Sequence, residues 1–460
     1  MSTPLLGQHA VVIGASVAGM LTAKALTEQF AHVTVIERDV LTDSTDLRKG
    51  LPQAPHAHAL LARGLQTMQR LFPDLADDLV AHGAVWADTG LEVYWHQFGA
   101  TRLRTETGLK GLLFGRPLLD WRMRAHLMRD SRVTIRSGYR VKDLYLSLDQ
   151  RTVTGLLIEP VGSGGLAELV TADLVVDCGG RGSHTPQWLA EQGFGAVPVS
   201  EVKAKVDYVS ALYKRPANEP DWKVCMICTT PPETTLAIAM AIEDGQWILT
   251  LQSMFGEPVP SSHEEILTFL RTLPRPELYE AFRQAEPVGP LVRHSTPSNL
   301  RRHYDRLERL PEGLVVLGDA SCAFNPRYGQ GMSVAAMSVD LLATCLGEQP
   351  AGTVTGLARR FQRRLSPLHD QAWQVATGED MRFPQVEGPR PLPLKLINAF
   401  LVKVFQLLSV DREALVAFLH VQHMLAPVSV LLKPGIIWRA LTFRAPRSVQ
   451  GEGNSIAARS

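Results

Sequence analysis

The sequence predicts an α/β (α+β) fold. A parallel-stranded domain is assembled from separated stretches of chain, a mainly antiparallel sheet is inserted in it, and a helical segment closes the C-terminal end. Three observations carry this. Short continuous apolar runs bounded by glycines recur at 10–40, 172–180 and 313–333, as buried parallel strands do. Alternating stretches with aromatic residues lie between them, at 90–115 and 203–253, as antiparallel strands do. From Val334 to about Thr442 the apolar spacing is helical.

The bulk numbers set limits. A chain of 460 residues is too long for one simple core, so two or three lobes are expected. With 45% hydrophobic and 20% charged residues and a net charge of +1, it is neither disordered nor a basic nucleic-acid binder. Five cysteines make no disulfide framework, and the odd count suits a reducing compartment. The start "MSTPLLGQH" has no signal-peptide pattern, and no run of about 18 apolar residues would span a membrane. The expectation is a cytoplasmic protein.

"HAVVIGASVAGMLTAKALTEQFAHVTVIERD" reads as strand (Val11 to Ile13), tight turn, helix (Val17 to Phe30) and strand (Val33 to Ile36). The turn is a G-x-G-x-x-G variant with Ser16 at the second glycine. Gly14 permits the turn, the small Ala15, Ser16 and Ala18 let a pyrophosphate approach, and Gly19 lets the helix pack closely. The helix N-terminus favours the anion. Glu37, followed by Arg38, stands where a carboxylate meets an adenosine ribose. A purely structural glycine turn is the plainer alternative. This Rossmann-like unit gains a partner in "GDASCAFNPRYGQGMS" (318–333). Asp319 can accept hydrogen bonds from ribityl hydroxyls. Pro326 and Gly329 shape the loop that leads to Gly331 and Met332, and amides near Gly331 and Met332 could stabilise negative charge at the edge of a reduced flavin. An N-capping Asp in a loop is the plainer reading of this stretch. Together the two motifs resemble those with which one large group of flavoproteins holds FAD.

These pieces, with "GLPQAPHAHALLARG", "GRPLLDWRMRAHL" and "DCGGRGS", resemble the single-component FAD-dependent aromatic hydroxylases typified by para-hydroxybenzoate hydroxylase. Within that group the chain looks closer to squalene-epoxidase-like enzymes and the polyene epoxidases of polyether pathways. The resemblance covers about residues 8 to 445. It implies that Arg124 lies near the FAD pyrophosphate and Arg116 toward the flavin, with Gln53 and His58 beside the ring system. It implies an FAD-binding domain in three parts (1–80, 116–185, 301–345), substrate-domain pieces (81–115, 186–300), a C-terminal helical segment (346–445) and a disordered tail (446–460). It also implies NAD(P)H as electron donor, O2 as co-substrate, and oxygen transfer through a flavin C4a-hydroperoxide.

Two positions depart from the family pattern. Ser16 replaces a glycine. In "VVDCGGRGS", Gly179 stands where many relatives have an Asp that serves FAD and NADPH, and Asp177 lies two residues earlier. Flavin reduction could therefore require the substrate or a separate flavin reductase. No second dinucleotide fingerprint exists, and "GSGG" at 162–165 reads as a hairpin turn. His56 and His58 lack a third metal ligand, so no metal is expected. Cys225 and Cys228 lie in a strand-like run and read as packing. Segment 394–460 holds eight Lys/Arg and three Asp/Glu beside apolar helices, which permits a weak membrane-surface contact or ordinary packing on the flavin domain.

No catalytic residue can be named, since no tyrosine–base arrangement is recognisable in the sequence. That absence and the resemblance favour epoxidation of a small, apolar, polyene-like substrate in secondary metabolism. The apolar residues Ile227, Leu236, Ile238, Met240, Trp247, Leu249 and Leu251 suit its pocket wall, and those on the opposite face of an alternating strand must point away from it. Hydroxylation of an aromatic or polyketide substrate, reduction of an isoprenoid double bond and non-catalytic flavin binding are the alternatives.

Overall fold

The computed structural model describes residues 4–444 except 163, 389 and 391. The expected tail lies outside the described residues. Five parallel strands form one sheet in the spatial order Leu314–Val316, Leu174–Asp177, Gly7–Ile13, Phe30–Glu37, Val133–Ser137. Their centres are fully buried on both faces, as at Val11, Val12, Val175 and Val315, which is why they read as unbroken apolar runs. One face packs on the helices Val17–Leu26, Arg116–Leu127 and Gly331–Gly347. The other packs on a three-stranded antiparallel sheet, Tyr139–Leu146, Val153–Pro160 and Glu168–Thr171. The last two of those strands pair antiparallel across 161–167. The first helix ends at Leu26 rather than Phe30, because the fully buried Phe30 already begins the second strand.

An eight-stranded sheet carries the second lobe. Its middle strands, Val199–Lys214, Gln246–Met254, Leu236–Ile242 and Val224–Cys228, are mutually antiparallel. Residues 90–115, expected as antiparallel strands, divide between two sheets. Val93–Gln97 pairs parallel with Val224–Cys228, while Lys110–Leu113 pairs with Val85–Asp88 in a separate two-stranded sheet. A strand that joins a sheet parallel to a distant partner leaves no local trace in its alternation.

Alternation divides the large sheet cleanly. Val209, Ala211, Tyr213, Ile227, Trp247, Leu249 and Leu251 form a core with the helices His263–Thr272 and Glu277–Phe282. Of the expected pocket wall, Ile227, Trp247, Leu249 and Leu251 therefore point away from the parallel-stranded lobe. Ile238 and Met240 lie on the face that meets Ala57 and Leu113. Cys225 and Cys228 are both buried and unbonded within their strand.

The C-terminal helices do not rest on the flavin domain as a unit. Leu392–Leu407, Arg412–Gln422 and Pro434–Thr442 cluster on the edge of the large sheet, where Phe405 meets Trp95 (5.4 Å between ring centroids) and Phe98 (5.8 Å). One tie to the first lobe is His423. Its Nδ1 accepts the Ala62 amide at 3.1 Å and its carbonyl accepts the Arg63 amide at 3.2 Å. Among the described residues, no helix is long and apolar enough to cross a membrane.

This tie makes stability pH-dependent. Burial pushes the His423 imidazole down to about 4, with Arg102 and His420 adding to the effect. The unfolded chain takes up a proton near the ordinary 6.5, and the folded chain refuses it until about 4. The contribution is fully present above pH 6.5 and falls by on the order of 3 kcal/mol on the way to pH 4. Asp380 acts in the opposite sense. Burial raises it to about 6, so its contribution is present below its ordinary 3.8 and lost as pH rises through 6. His423→Gln should flatten the drop in thermal midpoint between pH 6.5 and 5, measured by differential scanning fluorimetry; an unchanged slope would refute the assignment.

Candidate cofactor and substrate site

The turn after the first strand is built as the glycine spacing requires. Gly14 sits at φ +92°, and a Cβ there would lie 2.9 Å from the Cys178 carbonyl oxygen. A Cβ on Gly19 would overlap the Gly14 carbonyl oxygen. Ala15 is buried, and its amide donates to Glu37 Oε2 at 2.8 Å; Glu37 Oε1 accepts the Asp39 amide at 2.9 Å. Ser16 stands at the N-cap of the helix without capping it, and no acidic residue lies in the first turn. The helix Gly331–Gly347 also begins without a side-chain cap or an acidic residue. Both helix ends therefore offer amides and partial positive charge to an anion.

The two motifs meet. A Cβ on Gly318 (φ +63°) would lie 3.1 Å from the Cβ of Ala18, and one on Gly329 would lie 2.9 Å from the Cβ of Ala59. In front of Gly331 the space is open, with Asp319 Oδ1 its nearest neighbour at 4.0 Å. Asp319 is exposed in area yet flanked by the buried Gly318 and Ala320, so it lines a cleft rather than the outer surface. The surrounding protein raises its carboxyl above the usual range, against the pull of Arg181, Arg116 and Arg302. Met332 is buried beneath this opening. An open cradle, two uncapped helix N-termini and a cleft carboxylate fit FAD.

Arg116 and Arg124 face the segment after the second strand. Arg116 Nε donates to Asp120 Oδ1 at 3.0 Å, and Arg124 bonds the Thr42 carbonyl. Between them stands Arg48, which sequence reasoning missed. It donates to the Ala15 carbonyl (3.2 Å) and Asp120 Oδ2 (3.4 Å), and lies 3.6 Å from Glu37 Oε2. The signal was an arginine in the polar segment 39–55, but nothing local distinguishes it from a solvated one. A cleft lined by Thr42, Arg48, Asp120 and Arg124 opens here.

Other residues take different places. His58 sits beside Arg116; burial and then Arg116 push its imidazole down to about 4, and its Nδ1 is 2.7 Å from the His56 carbonyl oxygen. Gln53 is half-buried, and its carbonyl accepts the His56 amide at 3.1 Å. Arg38 and Pro326 are exposed. Asp177 is committed to its own loop. Its carboxylate accepts from the Gly179 amide (2.7 Å), Thr185 Oγ1 (2.7 Å) and the Ser183 hydroxyl.

The loop Asn325–Gly329 ties the cleft to the large sheet. Asn325 Oδ1 accepts from Tyr208 Oη at 3.1 Å, and its amide donates to Asn299 Oδ1 at 2.6 Å. Asn299 Nδ2 and Tyr328 Oη both donate to Asp380, each at 2.5 Å. The sheet face opposite is apolar at its flank (Leu212, Ile238, Met240, Ile248) and polar at its centre, where Ser210 and Thr250 hydroxyls are 2.6 Å apart.

Residues 8–359 match the FAD binding domain family, and the chain belongs to it. It is an FAD-dependent monooxygenase with an aromatic-hydroxylase-like fold, and FAD is its cofactor. Protein Rv3254 of Mycobacterium tuberculosis is 32% identical over 84% of this chain and 82% of its own. The kynurenine 3-monooxygenase of Salinispora tropica is 26% identical over 82% of this chain and 80% of its own. The flavin-dependent brominase Bmp2 shares the fold at 14% identity, with a TM-score of 0.66 over 95% of this chain and 98% of its own.

Removing one member of a buried charge set leaves the others uncompensated. Arg48→Ala should weaken FAD binding at least about tenfold, read by fluorescence titration of the apoprotein, and lower the melting temperature. Arg38→Ala should change neither. Equal behaviour of the two variants would overturn the placement of Arg48.

Proposed function

We propose that the protein inserts one oxygen atom from O2 into a small, largely apolar substrate, with NAD(P)H as the electron donor. Hydroxylation of an oxygen-bearing aromatic or polyketide-type substrate stands ahead of epoxidation of a polyene. The sequence alone favoured epoxidation, on the family resemblance and for want of a recognisable tyrosine–base arrangement. The sheet wall supplies a polar arrangement, and this observation carries the order: Tyr208, Ser210, Thr250 and Gln252 form a buried polar centre in a face that is apolar at its flank. The hydroxyls already pair with Asn325, His56, Ala57 and one another, but His56 Nε2 beside them is buried without a partner among the described residues; a hydrocarbon would leave it so, whereas an oxygen function gives it one.

Bound FAD supplies oxygen activation, and the chain supplies position and dryness. Gly14, Ser16, Ala18 and Arg124 would hold the pyrophosphate, Glu37 the ribose and Asp319 the ribityl chain. The Gly331 and Met332 amides would stabilise negative charge at the flavin edge. Leu212, Ile238 and Ile248 exclude water, and the Tyr208–Asn325 bond holds the wall against the flavin loop. With Asp177 committed to its loop and Gly179 without a side chain, hydride delivery lacks the carboxylate that relatives place there. This supports reduction triggered by substrate or by a separate reductase.

The exposed apolar side chains Leu392, Leu396, Ile397, Trp438 and Leu441, with exposed Lys395 and Lys433 nearby, support a peripheral contact with an anionic membrane surface. Flotation with vesicles containing phosphatidylserine should recover the protein, less so at high salt. Its absence from the vesicle fraction at low salt would remove the contact.

The main test is anaerobic titration of the FAD-loaded protein with NADPH, then NADH, with and without phenolic and polyene substrates, followed by 18O-labelled oxygen. Bleaching of the flavin and one labelled oxygen atom in a phenolic product is the expected outcome. A brominated product in the presence of bromide, a reduced double bond under nitrogen, or reoxidation with no labelled product from any substrate would sink the reading.

A further inference from the structure

At the centre of the sheet wall stands a histidine that the cofactor does not use. His56 is 5% exposed, and its Nε2 is buried without a hydrogen-bond partner among the described residues. Its Nδ1 lies 2.7 Å from Ser210 Oγ, Ser210 Oγ lies 2.6 Å from Thr250 Oγ1, and the Ala57 amide donates to Thr250 Oγ1 at 2.9 Å. The direction of this chain follows from counting hydrogens. Thr250 Oγ1 already accepts the Ala57 amide, and the acceptor within its reach is Ser210. The Thr250 hydrogen therefore goes to Ser210, and the Ser210 hydrogen goes to His56 Nδ1. The reverse order would leave the Thr250 hydrogen with no acceptor. Nδ1 is thus an acceptor, and the ring proton resides on Nε2.

The surroundings keep this imidazole neutral. Burial pushes it down to about 3, and His294 and His58 add to the effect. Tyr208 and His294 flank its ring, with centroids at 5.7 and 5.8 Å. Tyr208 is in turn bonded to Asn325 in the loop beside the flavin cleft. His294, partly exposed, makes no side-chain hydrogen bond among the described residues. A neutral N–H donor, fixed at its far side and unpartnered at its near side, is therefore built into the wall.

We propose that His56 offers its Nε2–H to an acceptor oxygen of the substrate, so that the enzyme selects oxygen-bearing aromatic compounds over hydrocarbons of the same shape. This rests on the reading that the wall faces the substrate. A site built to donate to an oxygen strongly rejects the analogue that lacks it.

The test is binding, without any electron donor. Titration calorimetry of the FAD-loaded protein with 2-naphthol and with naphthalene should show at least about tenfold preference for 2-naphthol. His56→Phe should abolish the preference, while His56→Gln, whose amide can still donate, should keep part of it. In wild-type protein labelled with 15N-histidine, the His56 signal, assigned by its loss in His56→Gln, should show the neutral Nε2–H pattern from pH 8 to 5 and shift on adding 2-naphthol. An Nδ1–H pattern, or no preference in the wild type, including no binding of either probe, overturns the proposal. Preferential binding with no labelled product would leave it standing and refute the oxygen-insertion reading instead.

Discussion

A row of buried charges holds the cofactor end of the molecule together. Glu37 accepts the Ala15 amide, Arg48 lies across Glu37 and Asp120, and Asp120 holds Arg116. Each member is less than a tenth exposed at its side chain. Charges taken out of water are stable only as a complete set. This set joins three pieces of chain far apart in sequence: the glycine turn, the polar segment after the second strand, and the helix Arg116–Leu127. The glycine turn alone would be a local motif. Through Arg48 it becomes part of the wall that faces the helix carrying Arg116 and Arg124.

A second junction joins the lobes. The loop Asn325–Gly329 is held on one side by Ala59 and on the other by Tyr208, Asn299 and Asp380. Asp380 is the last residue of the helix Leu357–Asp380, so the helical segment, the large sheet and the flavin loop converge on one carboxylate. Burial of that carboxylate raises its proton affinity, and two short hydrogen bonds offset part of the cost.

The parts that were legible in the sequence are those in which local chemistry has one solution. Gly14 and Gly19 cannot carry a side chain where they stand, and Val11, Val12 and Val175 are buried on both faces. The parts that were not legible depend on distant partners. Nothing around Val93–Gln97 announces a parallel neighbour at Val224–Cys228. Arg48 owes its role to Asp120, 72 residues away. His56 stands in the sequence only as a histidine without a third metal ligand, yet its partner Ser210 is 154 residues on. Hydropathy marks Ile238, Met240, Trp247 and Leu249 alike, and only the packing separates the face of Ile238 and Met240 from that of Trp247 and Leu249.

The C-terminal helices have one more consequence. The strands Val93–Gln97 and Ala100–Thr101 form one border of the large sheet, and Phe405 and Phe418 lie against Trp95 and Phe98 there. An uncovered border of this kind would recruit another chain by strand addition. A truncated product ending before Leu392 would keep the whole cofactor cleft and yet expose that border. The helical cap therefore acts as a solubility device. It ties the fate of a nascent or clipped chain to the arrival of the segment that begins at Leu392.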